Sequence, residues 1–422
     1  MNQLDWTQSF LQRAEFNEFY ARYCPRKDVL FSGSRRETMA MHSDTPGVAA
    51  SGELDPSFAI GGKFQAPAGI GRSVSLLEGG TSLTLATFDN TSGEFCLCRV
   101  SEDGVLDTGF GVGGVVRGRF DQAARSFLHQ AVLQPDKKIL MIGYSTGNLA
   151  LTRFNPSGSP DLVFGQKTYQ FFPEWHSLKT GSKASLLPDG KIIVAARYTA
   201  SVSDVAVLVR LLANGEVDPT FGAKGVVITP AFITMKGLAI QRSGKIIVAG
   251  MTGQKSVIAR FSADGMLDKT FGVDGLAYFE REGSEFSFWD ILVLQDDRIR
   301  CVGGTSLQSG IGALLVGLDS EGKPEQRFNG GDPVVITQRF LGRWSSISEQ
   351  KDGKLPVVGG NGTDLVCTRF LTSGATDTTF GWDGFMYHPG NSADCVVQSV
   401  GRWVTAAYNS RLTSSWLYGL IT

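Results

Sequence analysis

The arrangement in this chain best suited to recognition chemistry is a pair of tryptophans set among charges. Trp289 and Trp344 each stand six residues ahead of a glutamine, Gln295 and Gln350, within apolar runs. Around them lie Glu280, Arg281, Glu282, Glu285 and Asp290, then Arg339 and Arg343. Trp175 and His176 occupy another long polar stretch. Indole rings flanked by charge suit stacking on a sugar or anchoring a protein partner. The same pattern also fits tryptophans packed in the interior beneath a solvated surface. Glu282 with Asp290 supplies the two carboxylates that glycoside cleavage requires, although acids in polar loops are common.

Other reactive constellations are weaker. Residues 267–275, LDKTFGVDG, place Asp268, Thr270 and Asp274 near glycines, the residue types of a cation-binding loop. A calcium loop needs several converging oxygens. Yet lysine stands in place of the second acid in the sibling segments at Lys167 and Lys224, so no metal is expected. Cys96 and Cys98 have no second pair or nearby histidines to complete a zinc site. The histidines, His42, His129, His176 and His388, have no ligand spacing. Lys179-Thr180-Gly181 and Ser320-Glu321-Gly322-Lys323 match boxes of penicillin-binding enzymes in reversed order, which reads as coincidence. No cofactor is implied, and an enzyme is not the expected reading.

The elements that would carry these residues repeat. Near-copies of LDKTFGVDG are anchored by Phe58, Phe110, Phe164, Phe221, Phe271, Phe328 and Phe380, at spacings of 52, 54, 57, 50, 57 and 52 residues. Such a period marks an array of supersecondary units. Each unit contains a hairpin of the LLPDGKIIVAA (186–196) or AIQRSGKIIVAG (239–250) type. A third strand follows, as in AVLVRL or SVIARF, and a short fourth after the FGxxG turn. Seven four-stranded units predict a seven-bladed β-propeller spanning 51–422. The last repeat lacks a fourth strand, and the first opens with an unattached one, about 61–66. That strand is expected to complete the last blade and close the ring.

Within the repeat, the phenylalanine reads as a plug between blades. The residue after it is Gly in five copies, Ala59 and Asn329 in the others, which predicts a left-handed turn. Arg99, Arg153, Arg210, Arg260 and Arg369 end the third strands, while Gly317 and Gly419 replace them elsewhere. Asp218 is expected to cap its turn or to accept a charge-assisted hydrogen bond from an arginine such as Arg210. The pattern GxLDxxFGxxG, after a QxDGKIIVAG hairpin and a strand ending in Arg, resembles the bacterial delta-60 repeat. That resemblance implies a propeller and no reaction. This sequence departs from it at Ala59, Asn329 and Glu325.

The remaining expectations follow from composition. A net charge of −1 argues against a nucleic-acid partner. No apolar run is long enough to span a membrane. The opening residues lack a signal peptide, and the unpaired cysteines fit a reducing, cytoplasmic compartment. Residues 1–50 read as an amphipathic helix (8–23) and a polar linker. The variable connections between units, on the face opposite the repeat turns, are where binding belongs. A monomer engaging a protein partner is the expected role; a carbohydrate-binding or carbohydrate-cleaving propeller is the alternative.

Overall fold

A computed structural model describes residues 50–422 apart from short loop segments: 67–71, 90–91, 122–125, 173–176, 179–181, 200–203, 230–233, 253–254, 280–284, 308–309, 338–341, 361, 399–400 and 410–413. The helix expected at 8–23 and its linker lie outside these residues. From 50 onward the chain forms seven antiparallel sheets, which are the blades. Blade 1 runs Arg72–Glu78, Ser82–Phe88, Phe95–Ser101 and Val115–Gly118. Blades 2 to 6 follow the same plan. In blade 3 the first strand is broken into Ser177–Leu178 and Lys183–Leu186. Blade 7 takes Asn391–Val397, Trp403–Asn409 and Ser414–Leu420, and its fourth strand is Lys63–Gln65, with Phe64 opposite Leu417.

The first strand of each blade touches the first strand of both neighbouring blades, so seven of them close an inner ring. Blades stack face to face around it. A middle strand is therefore buried on both sides, and reads as a continuous apolar run rather than an alternating one. Ile246–Thr252, IIVAGMT, is buried through its first five residues.

Seven hydrophobic clusters fill the spaces between blades, and each contains one repeat phenylalanine. Phe221 packs between Val194's blade and Val248's, against Ala195, Leu208 and Val257. Burying such a ring contributes roughly 1.5–3 kcal/mol. The residue after each phenylalanine has a positive φ in all seven repeats, including Ala59 at 49° and Asn329 at 50°. That twist turns its N–H onto the next blade: Gly222 donates to Asp264 and Gly272 to Glu321.

A guanidinium locks each of these turns. Arg210 Nε donates to Asp218 Oδ2 at 2.8 Å, its Nη1 reaches the Ala263 carbonyl of the next blade, and its guanidinium lies 4.9 Å over the Phe221 ring. Asp218 Oδ1 meanwhile accepts from the backbone and hydroxyl of Thr220. The two blades whose third strand carries glycine are not missing this lock. At Gly317, Arg300 of the neighbouring strand lies 4.2 Å over Phe328 and pairs with Glu325 at 2.7 Å. At Gly419, Arg402 takes the same role over Phe58, with Asp55 at 2.5 Å. A Cβ at either glycine would collide with the phenylalanine ring. In blade 5 the charge has moved to the residue opposite Gly317 on the second strand, in blade 7 to the hairpin turn before the second strand, and the vacated side chain makes room for the ring.

Candidate functional site

Polar side chains that do not repeat gather on the inner ring. In six blades the first strand carries a register shift, as between Leu128 and Gln130, Met235 and Gly237, Phe288 and Asp290, and Trp344 and Ser346. A bulge leaves one residue unpaired and re-aims its side chain. Here the residues that the register skips include His129, Lys236, Trp289 and Ser345.

This register corrects the tryptophan pairing read from the glutamine spacing. The hairpin bond of Gln350 to Lys354 corresponds to that of Leu294 to Arg298, not to Gln295. The counterpart of Trp344 is therefore Phe288, and both are fully buried between blades. Trp344 packs edge-on against Phe370, 6.2 Å away. Trp289 falls in the bulge and stays partly exposed, with Arg343 3.9 Å over its ring and Lys236 at 5.0 Å. A slip of one residue sends a strand side chain to the opposite face. The structure thus separates the two indoles. Trp175, His176, Arg281 and Glu282 lie outside the described residues.

In blades 1, 2, 5 and 7 the residue after the bulge ties its blade to the next, whereas blade 4 has Gly237 there. Ser75 Oγ accepts from Ala131 N at 2.9 Å, and Gln130 Oε1 from Ala184 N at 2.7 Å. Asp290 Oδ2 accepts from Ile347 N at 3.2 Å. Asp394 takes Leu76 N on one oxygen, at 3.0 Å, and Ser346 Oγ on the other, at 2.9 Å. One bulge residue does likewise: His129 Nδ1 accepts from Ser182 N at 3.2 Å. Its neutral ring then carries its proton on Nε2.

Burial dominates the electrostatics of this ring. It pushes Asp290 up to about 6, a shift opposed by Lys183 and reinforced by Asp394, and it raises Asp394 as well. His129 is lowered to about 4 by burial, then by Lys236 and Lys183. Lys236 is lowered by burial and by the charges of Lys183, Arg197 and Arg343.

His129, Lys183, Arg197, Lys236 and Asp394 belong to no motif or ligand spacing in the sequence. A usable signal existed. Arg197 stands on a second strand where its siblings are aromatic, apolar or small, whereas Lys183 and Asp394 share a first-strand position with Ser75, Gln130, Asp290 and Ser346. Among the described residues no group of His, Cys, Asp and Glu is placed to hold a metal. Asp268 instead spends its oxygens on Thr270, Arg260 and Lys245. Asp274 sits at φ 52°, a turn position. Cys96, Cys98, Cys301, Cys367 and Cys395 are buried free thiols.

These sheets define a β-propeller of seven four-stranded blades. A family model described as a domain of unknown function (DUF5122) beta-propeller matches residues 134–164, 187–221 and 241–271. Each match closes on a repeat phenylalanine. No curated protein matches the chain. Among solved structures, Raptor of Chaetomium thermophilum is similar at 10% identity and a TM-score of 0.50, over 85% of this chain and 30% of that one. The PQQ-bound aldose sugar dehydrogenase of Streptomyces coelicolor aligns at 13% identity and a TM-score of 0.42, over 76% and 98%. Drosophila Semaphorin 1b, extracellular domains 1-2, aligns at 9% and 0.44, over 88% of each chain. At such identities the likeness concerns the fold. No helix among the described residues is long and apolar enough to cross a membrane.

Proposed function

We propose that this protein, built from repeats of the delta-60 type, is a non-catalytic recognition propeller that engages a protein partner through its variable-connection face. The observation that carries this reading is a division of labour. Polar residues that recur with the repeat are consumed by the inter-blade lock, whereas those that do not recur collect in the inner ring and at its mouth. Arg197 and Arg343 lie at strand ends beside the variable connections, and Arg343 is exposed.

Two findings weigh against the carbohydrate alternative. Trp344 is interior, and the ring of Trp289 is approached by two cations rather than left as an open platform. Hydrolysis by inner-ring acids is disfavoured too, because Asp290 and Asp394 accept backbone N–H bonds that hold the ring together. A monomer acting in a reducing compartment, without nucleic acid, completes the proposal.

Capture from native lysate tests it, using wild type, an Arg343→Glu/Glu285→Arg variant of this face, and a Lys269→Glu control on the repeat-turn face. A partner kept by wild type and control but lost from the first variant supports the reading. A glycan-array signal abolished by Trp289→Ala would move the assignment to carbohydrate. Absence of both would overturn it.

A further inference from the structure

Six of the seven blades set a cation at one point of the hairpin between their first two strands, the residue whose carbonyl closes the turn. These are Lys138, Lys191, Lys245, Arg298, Lys354 and Arg402. Each reaches the acid of its own repeat. Lys138 Nζ lies 3.1 Å from Asp161, Lys191 Nζ 3.3 Å from Asp218, Lys245 Nζ 2.9 Å from Asp268 and Lys354 Nζ 3.3 Å from Asp377. Arg298 pairs with Glu325 at 2.6 Å and Arg402 with Asp55 at 2.5 Å. In blade 1 the residue at this point is Ser82, whose carbonyl accepts the closing bond from Gly79 N. The register agrees: Leu83 faces Val100 as Ile192, after Lys191, faces Leu211. Asp107, the acid of blade 1, keeps Arg99 Nε at 2.7 Å, and among the described residues it pairs with no second cation. Its side chain is 38% exposed, against 3–17% for the other six acids.

Ser82 instead lines a cavity of about 460 Å³ between blades 1 and 2, within the size range of small-ligand pockets. Asp107, Ser82 and Thr84 bring oxygens to it, and Leu77, Leu133 and Ile139 an apolar wall. Lys137 of blade 2 also lines it, without pairing to Asp107. A lysine lays its methylenes on apolar surface while its ammonium donates charge-assisted hydrogen bonds to a carboxylate. An alkylammonium arriving from outside the chain finds both provisions here, and the two hydroxyls can accept its remaining N–H bonds.

We propose that this cavity is a binding site for a primary alkylammonium group, held by Asp107 in the place that a lysine or arginine fills in the other six blades. A free aliphatic diamine and the side chain of a lysine from another protein share that chemistry. The cavity lies among the repeat turns, so the site does not depend on the reading of the variable-connection face.

Calorimetric titration of the full-length protein with cadaverine, and separately with Nα-acetyl-lysine methylamide, at low ionic strength and neutral pH tests the site. Saturable binding of one amine per chain is expected. It should weaken at least tenfold in Asp107→Asn, which removes the charge, and in Ser82→Lys, where the chain's own ammonium occupies the carboxylate. It should remain unchanged in a Lys269→Gln control on blade 4. Pentanol, with a similar chain and no cation, should give no saturable heat. Tighter binding of cadaverine would identify a free amine as the ligand, and tighter binding of the lysine derivative a lysine side chain; either supports the site. If Asp107→Asn does not fold, Ser82→Lys still decides, because it restores the pattern of the other blades. No saturable heat with either amine, or heat unaltered by Ser82→Lys, overturns the proposal.

Discussion

At the scale of residues, this protein uses one polar unit seven times: a guanidinium, a carboxylate and a phenylalanine at each blade junction. The Arg210–Asp218 pair is nearly buried, so its value lies in mutual satisfaction rather than in charge alone. Burial would raise the Asp218 carboxyl. Hydrogen bonds from Thr220 and Lys191, with the charge of Arg210, outweigh that and hold it at about 2. A carboxyl lowered on folding contributes stability that is full above its unfolded value, ~3.9, and is lost as pH falls through about 2. Asp218→Asn should therefore be less stable than wild type at pH 7, with the gap closing in strong acid. In a double-mutant cycle with Arg210→Ala, urea midpoints should show a coupling of about 1.5–3 kcal/mol. Purely additive losses would refute the pairing. The repeat itself made Asp218, Arg210 and the seven phenylalanines legible. The relocation of the arginine to Arg300 and Arg402 was not legible, because it depends on which strand lies beside Gly317 and Gly419.

The inner strand is the element on which structure and function part company. Its bulge shifts the register by one residue midway, so residues on either side of it obey different rules. This is why Trp289 and Trp344 looked equivalent in sequence and are not. It is also why Asp290 faces the ring. Burial raises Asp290 to about 6, against the pull of Lys183 and with the push of Asp394, while Cys301 and the Ile347 N–H complete its surroundings. A carboxyl raised on folding gives stability that is full below its unfolded value and is lost as pH rises through its folded value. The loss therefore falls between about pH 4 and pH 6. Asp290→Asn keeps an oxygen for Ile347 N and removes the ionisation. It should be more stable than wild type at pH 8, by about 2–3 kcal/mol, and no more stable at pH 4. Guanidinium denaturation at the two pH values checks this, and an equal or reversed difference at pH 8 would count against it.

At the scale of the molecule, the decisive contact is between the start and the end of the propeller. Lys63–Gln65 pairs with Ser414–Leu420, and Leu54 bridges Leu420. Phe58 then fills the junction between blade 7 and blade 1. A ring is stable when it has no unpaired edge and no open face. Removing residues 1–66 should expose the edge of Ser414–Leu420 and the apolar faces beside it. Thermal unfolding should become earlier and less cooperative, and a synthetic peptide spanning 50–68, added in trans, should restore part of the loss. An unchanged melting curve after truncation would mean that the closing strand contributes nothing to the ring.

Everything that recurs can be read from the order of residues along the chain. The period, the hairpins, the phenylalanine plug and the left-handed turn after it are local patterns, fixed by strand length, turn chemistry and burial on both faces of each blade. Everything that does not recur is set by how the blades meet. His129, Lys183, Arg197, Lys236, Trp289, Asp290, Arg343 and Asp394 are spread over more than 260 residues of chain. They become neighbours only because seven blades turn their first strands to a common centre, and no spacing along the chain encodes a meeting of blades.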